Sequence, residues 1–226
     1  MIPNLIYRIS KHSMTKKAVD CIDLPEKTIN INYIDGMRSK QYIEIENGIF
    51  KIENEVRTMI KLEAINKAHQ AANGWVYLSS KIPMRIKENN KLDKIYDLCE
   101  IYLEETDKII VVYLYKEDLI ELKNKLKDFK YTENIDSFRT ESQILFLQYS
   151  QAEGLNLQFC NHMIFYTYDY SFLKFDQMCG RIYRSGQKNN VTYDILINKD
   201  TIEEKIWKAI KNKESTDEFL KGALNG

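Results

Sequence analysis

The sequence predicts an α/β fold: a mostly parallel sheet with flanking helices, preceded by a smaller, mainly helical lead-in. Three observations predict it. The 226 residues are 44% hydrophobic with 8 glycines and 3 prolines, so a core can form and a long flexible linker is not expected. Apolar runs at 108–115, 144–149, 162–167 and 191–197 are short, continuous and rich in β-branched residues, as strands buried on both faces require. Segments of helical period separate most of these runs, and that alternation builds right-handed βαβ units.

The elements follow in order. Residues 1–35 open with an apolar start and a basic patch at Lys11, Lys16 and Lys17. Pro25 ends what precedes it and sets up an extended segment, Ile29 to Ile34, alternating at strand period. Gly36 and Gly48 bracket a short polar segment holding Gln41 and Tyr42. From Glu53 to Ala72, the spacing of Val56, Met59, Ile60, Leu62, Ile65 and Ala68 predicts a helix with one buried stripe, ended by Asn73-Gly74. A short apolar run, Trp75 to Leu78, precedes the expected boundary, which divides the chain into a lead-in over 1–80 and a main unit over 81–226. Leu92 to Leu103 reads as a helix burying Ile95, Tyr96, Leu98, Cys99 and Tyr102; Glu117 to Phe129 reads as another, through Leu119, Ile120, Leu122 and Leu126. Thr201 with Glu204 forms a capping box that starts a last helix, with Trp207 and Ile210 on its apolar face.

Composition narrows the function. Lys+Arg and Asp+Glu are both 33, so no global field attracts nucleic acid, and any such surface is a local patch. Cys21, Cys99, Cys160 and Cys179 form no Cys-x-x-Cys pair and read as free thiols in a reducing cytoplasm, with no zinc site. His12, His69 and His162 are equally scattered, and no metal site is expected. No stretch is long and apolar enough to span a membrane, and residues 1–10 lack the apolar core of a signal peptide.

The chemistry concentrates in Gln177 to Gln187, reading Gln-Met-Cys-Gly-Arg-Ile-Tyr-Arg-Ser-Gly-Gln. Arg181 and Arg184 are three apart and Gln177 lies four before Arg181, spacings that share one helical face. Gly186 can end that helix with a left-handed cap. Two guanidiniums and an amide make a fork for phosphate oxygens, because arginine is planar, always charged and binds in two-pronged fashion. An Arg-x-x-Arg pair alone reads as a solvated helix face.

The full string resembles the sixth motif of superfamily 2 helicases, in the form found in the Swi/Snf-type branch, Gln-x-x-x-Arg-x-x-Arg-x-Gly-Gln. Further matches occur in order. Leu24-Pro25-Glu26-Lys27 resembles the Leu-Pro-x-Lys element before the last strand of the first lobe. Ser150 to Leu157 resembles the fifth motif, ending in Gly154-Leu155-Asn156-Leu157, although Gln151 and Ala152 stand where the family has a glycine pair. Tyr168-Asp169-Tyr170 stands where an Asp and a Trp are common, with Tyr170 expected to pack under the arginine helix. Thr201-Ile202-Glu203-Glu204 resembles a brace between lobes.

The resemblance implies a RecA-like C-terminal lobe of an ATP-dependent DNA translocase or helicase. It implies that Arg181 and Arg184 are arginine fingers, and that Gln177, Gly154, Glu153 and Gly180 lie at the nucleotide. It places Gln148, Tyr149, Ser150 and Asn156 at a DNA backbone, double-stranded by preference. ATP and Mg2+ would be held mainly by a first RecA-like lobe, the implied partner. No Gly-x-x-x-x-Gly-Lys-Ser/Thr phosphate loop occurs in the sequence, so this chain alone is expected not to turn over ATP. The rival readings are a non-catalytic binding module that kept the lobe's fold, which has no need of the arginine pair, and a motor lobe directed to RNA.

Overall fold

The computed structural model describes residues 24–52, 55–77, 82–151 and 154–225. The basic patch at 11–17, His12, Cys21, Ala152 and Glu153 lie outside the described residues.

The chain runs β1 (Lys27–Ile34), α1 (Lys40–Glu46), β2 (Ile49–Ile52), β3 (Glu55–Thr58), α2 (Lys61–Ala72), β4 (Trp75–Val76) and β5 (Met84–Arg85). It continues α3 (Lys91–Glu105), β6 (Ile109–Tyr113), α4 (Lys116–Lys125), β7 (Tyr131–Thr132), α5 (Ile135–Thr140) and β8 (Ile144–Gln148). After a 3-10 turn at Tyr149–Gln151 come β9 (His162–Phe165), α6 (Phe172–Cys179), β10 (Val191–Asn198), α7 (Ile202–Lys211) and α8 (Thr216–Asn225).

Six strands form one parallel sheet in the order β1-β10-β9-β6-β8-β7. The continuous apolar runs are its inner strands, as expected. All five residues of β6 are buried, and they alternate between faces. Ile110 and Val112 join the core under α1, α2, α6, α7 and α8, while Ile109, Val111 and Tyr113 join the core under α3 and α4. This is the period-2 geometry of a strand covered on both sides.

The lead-in departs from expectation in three ways. β1, read as closing a first lobe, pairs with β10 along its whole length, from Lys27 opposite Val191 to Ile34 opposite Asn198. Among the described residues it is one of the two edge strands of this sheet. The helix expected from Glu53 starts only at Lys61, because Glu55–Thr58 pairs antiparallel with Ile49–Ile52. And residue 80 is no break in the packing. Tyr42 and Ile45 of α1 and Ile65, Ala68 and Ala72 of α2 share one core with Val112 of β6 and Trp207 of α7.

A buried polar cluster joins the same parts. Lys91, at the start of α3, and Glu203, in the first turn of α7, are both fully buried and form an ion pair. Lys91 Nζ also donates to the Asn73 side chain at 3.1 Å and to the Tyr166 carbonyl at 2.9 Å. The second oxygen of Glu203 accepts from the Asn198 N–H at 2.7 Å, and the Asn198 amide donates to the Ala72 carbonyl at 2.7 Å. Thr201 does cap α7, accepting from the Glu203 N–H, but the carboxylate that turns back is that of Glu203, not Glu204. Tyr42 completes the join, its hydroxyl accepting from the Ile202 N–H at 2.7 Å.

Candidate active site at the strand tips

In an open parallel sheet, ligands sit beyond the carboxyl ends of the strands where the strand order reverses. Here β6 is that point: β7 and β8 lie on one side of it, β9 and β10 on the other. A cavity of about 290 Å³ opens there. Leu114 lines it from the tip of β6, Tyr149 and Ser150 from the tip of β8, and Asp169 from the turn after β9. Lys174, Gln177, Met178 and Arg181 close it from α6 and the residues after it.

The arginine segment is not the helix its spacing predicts. α6 ends at Cys179, with Gly180 as its C-cap in helical conformation. Tight turns follow: the Arg181 N–H bonds to the Met178 carbonyl at 3.0 Å, and the Ile182 N–H to the Cys179 carbonyl at 3.3 Å. Two contacts from elsewhere divert the backbone. The Tyr193 hydroxyl donates to the Cys179 carbonyl at 2.7 Å, and the Leu157 N–H donates to the Arg181 carbonyl at 3.0 Å. Gly186 takes the positive φ expected of it, +95°, but it closes this turn, not a helix. Buried Gln187 then locks the turn, donating to the Cys160 carbonyl at 2.9 Å and the Ile182 carbonyl at 3.2 Å.

The two arginines consequently part. Arg181 lines the cavity with Gln177, and its Nε is buried with no hydrogen-bond partner. Arg184 is exposed and does not line the cavity. Neither is in an ion pair among the described residues. A buried guanidinium N–H without an acceptor is costly, and a phosphate oxygen is the acceptor that suits it.

The other candidate residues scatter in role. Gly180 does not line the cavity. Gly154 is exposed with φ +74°, a conformation that favours glycine, and a Cβ there would meet nothing within 4 Å. Asn156 caps no helix; it is exposed, and its carbonyl accepts from Arg139 at 3.1 Å. Of the three residues expected at a DNA backbone, Gln148 turns its amide to the Leu114 carbonyl at 3.3 Å and Tyr149 is buried, its hydroxyl pKa pushed well up by burial. Ser150 alone of the three is exposed, at the cavity. Tyr170 does not pack under the arginines; its ring stacks on Phe219 of α8, with centroids 5.1 Å apart.

Sequence reading passed over Lys174 and did not assign Asp169 a role. They form an ion pair at 2.7 Å beside the cavity. Lys174, Gln177, Met178 and Arg181 stand at i, i+3, i+4 and i+7, a periodicity that was there to be found. Among the described residues no three His, Cys, Asp or Glu side chains come together to hold a metal ion.

Residues 90–186 match the helicase conserved C-terminal domain. Two relatives carry the name of ATP-dependent helicases. The chain is 39% identical over 90 residues to an uncharacterized ATP-dependent helicase, YqhH, of Bacillus subtilis, covering 40% of this chain and 16% of that one. It is 29% identical over 153 residues to the ATP-dependent helicase FUN30 of Saccharomyces cerevisiae, covering 59% of this chain and 13% of that one. The chain thus spans about a sixth or less of the length of these relatives. The crystal structure of the C-terminal part of the Fun30 ATPase domain superposes with a TM-score of 0.64 over 89% of this chain and 98% of that one, at 17% identity. At that identity the match speaks for the fold alone, a mostly parallel six-stranded sheet with flanking helices. No helix of the described residues is long and apolar enough to cross a membrane.

Proposed function

We propose that this chain is a helicase C-terminal domain, the second motor lobe of an ATP-dependent DNA translocase. In this reading Arg181 and Arg184 complete a nucleotide pocket whose larger part belongs to a first RecA-like lobe. The observation that carries it is Arg181: its Nε is buried and unpartnered at a cavity on the strand tips. Arg181 and Gln177 bind and orient the terminal phosphate from the cavity, and exposed Arg184 reaches out to the same phosphate as the lobes close. Charge developing there during transfer to water is what both guanidiniums stabilise. Mg2+, held by the first lobe, would supply charge neutralisation at the phosphates. Ser150 and Asn156 present polar groups to a DNA backbone, a contact insensitive to sequence and weakened by salt. The thiols of Cys99, Cys160 and Cys179, buried and unpaired, fit a reducing cytoplasm.

The test combines the chain with a first lobe of the family and measures ATP hydrolysis. Turnover is expected only in the mixture, stimulated by double-stranded DNA and lost on Arg181→Ala or Arg184→Ala. Magnesium-dependent turnover by the pure chain, or turnover in the mixture indifferent to both arginines, defeats the reading. Stimulation by RNA and not by DNA keeps the motor and changes its track.

A further inference from the structure

Between the two arginines stands Tyr183, and it reaches back to the segment that leads into β1. Its hydroxyl donates to the Pro25 carbonyl at 3.1 Å. Lys27 Nζ lies over its ring, 5.2 Å from the centroid. Two further contacts fasten the same segment beside the arginine turn: the Glu26 N–H donates to the Asn190 side chain at 3.2 Å, and the Val191 N–H donates to the Glu26 carbonyl at 2.9 Å. The Leu-Pro-Glu-Lys stretch is thus bolted to the turn that carries Arg181 and Arg184.

We infer that Tyr183 is a positioning residue through which residues 25–27 set the placement of the two arginines. The geometry favours this over a merely structural role. Among the described residues the exposed Arg184 side chain forms no hydrogen bond or ion pair, while the residue before it is held at its hydroxyl and over one face of its ring. Pro25 stiffens the anchor, since its ring fixes φ of the residue whose carbonyl accepts. A cation over an aromatic face attracts the ring from one side while the hydroxyl bond fixes its rotation, so the two contacts act on different freedoms of one side chain. The inference rests on the nucleotide reading above, in which misplacing an arginine by a fraction of an ångström to an ångström costs rate and not ground-state affinity.

Two measurements test it. In the chain by itself, amide hydrogen exchange over 181–187 should run at least about threefold faster in Tyr183→Phe and in Lys27→Met, with melting temperature unchanged. In the mixture with a first lobe, both variants should lower kcat about three- to tenfold with nucleotide KM within about twofold, and Lys27→Arg, which keeps a cation over the ring, should restore kcat. Wild-type exchange and wild-type kcat in both variants, in a mixture where Arg184→Ala abolishes turnover, overturn the inference. Equal loss in Lys27→Arg and Lys27→Met overturns the part given to the cation. If Arg184→Ala leaves turnover untouched, the nucleotide reading fails on its own account, and the exchange rates alone decide whether Tyr183 holds the turn.

Discussion

Two groups of charges in this molecule are placed to opposite purposes. Around Lys91 and Glu203, every strong donor and acceptor of the pair finds a partner: carboxylate to ammonium, ammonium to Asn73 and Tyr166, carboxylate to the Asn198 N–H. At the strand tips, Arg181 keeps a buried N–H with nothing to receive it, and Arg184 stands in solvent. Satisfied charges specify a shape. Unsatisfied ones, kept in place by bonds to their backbone, leave an acceptor to be supplied from outside. The difference teaches where to look for function in a domain with no net charge: not at the best-connected ions but at the ones the fold leaves open.

The comparison is broken most severely at the open site. With a first lobe present, Arg184→Ala should lower ATP turnover by about 10³–10⁵. The same substitution should leave the chain's stability within about 0.5 kcal/mol in a urea titration, since nothing in the fold leans on that side chain. A large loss of stability would place Arg184 in the structural class.

The closed cluster should behave the other way. Lys91→Met strands the Glu203 carboxylate and should cost about 3–5 kcal/mol in the same titration. Replacing both, Lys91→Met with Glu203→Leu, should recover part of that loss, because an uncompensated buried charge is worse than none. Recovery of nothing would mean that the Asn198, Asn73 and Tyr166 bonds, not the charges, carry the cost. A smaller break is Tyr42→Phe, which leaves the Ile202 N–H buried without its acceptor and should cost about 1–3 kcal/mol.

The subtlest effect is in pH. Asp118 is fully buried beside the cluster, accepting from Trp75 Nε1 at 3.3 Å and the Tyr115 N–H at 3.0 Å. Burial raises its carboxyl from 3.8 to about 7. The folded chain therefore holds more proton than the unfolded one between those values, and this group takes stability away as pH rises through them. Buried His69 works against it. Burial, then nearby Lys91, lowers it from 6.5 to about 3, so its contribution to stability grows as pH rises across that window. Asp118→Asn removes the falling component and leaves the rising one. The variant's melting temperature relative to wild type should therefore climb from about pH 4 to about pH 7 and then level off. A flat difference across that range would show that Asp118 titrates as an ordinary carboxyl.

Much of the fold was open to reading and some was not, for identifiable reasons. The runs at β6, β8, β9 and β10 are apolar without interruption, and only burial on both faces asks for that. The hairpin of β2 and β3 escaped notice because Val56, Met59 and Ile60 fit a helical stripe as well as a strand. At the candidate site, Gln177 and Arg181 were found and do meet, but the helix meant to join them to Arg184 was not there. A three-residue spacing fits a helix and a succession of tight turns alike, and what selects the turns is Tyr193 and Leu157, neither of them near in sequence.

The sequence by itself determined the alternation of strand and helix, the order of the motifs, and which side chains have the charge and planarity that suit a phosphate. Those follow from periodicity and side-chain chemistry, which are properties of short stretches. Only the tertiary structure decided that β1 belongs to this sheet, that Arg181 faces the cavity while Arg184 does not, and that Lys91 is hidden beside Glu203, 112 residues away. Strand pairing and the burial of a charge depend on what solvent is excluded by parts of the chain that are distant until it folds, and no local pattern records them.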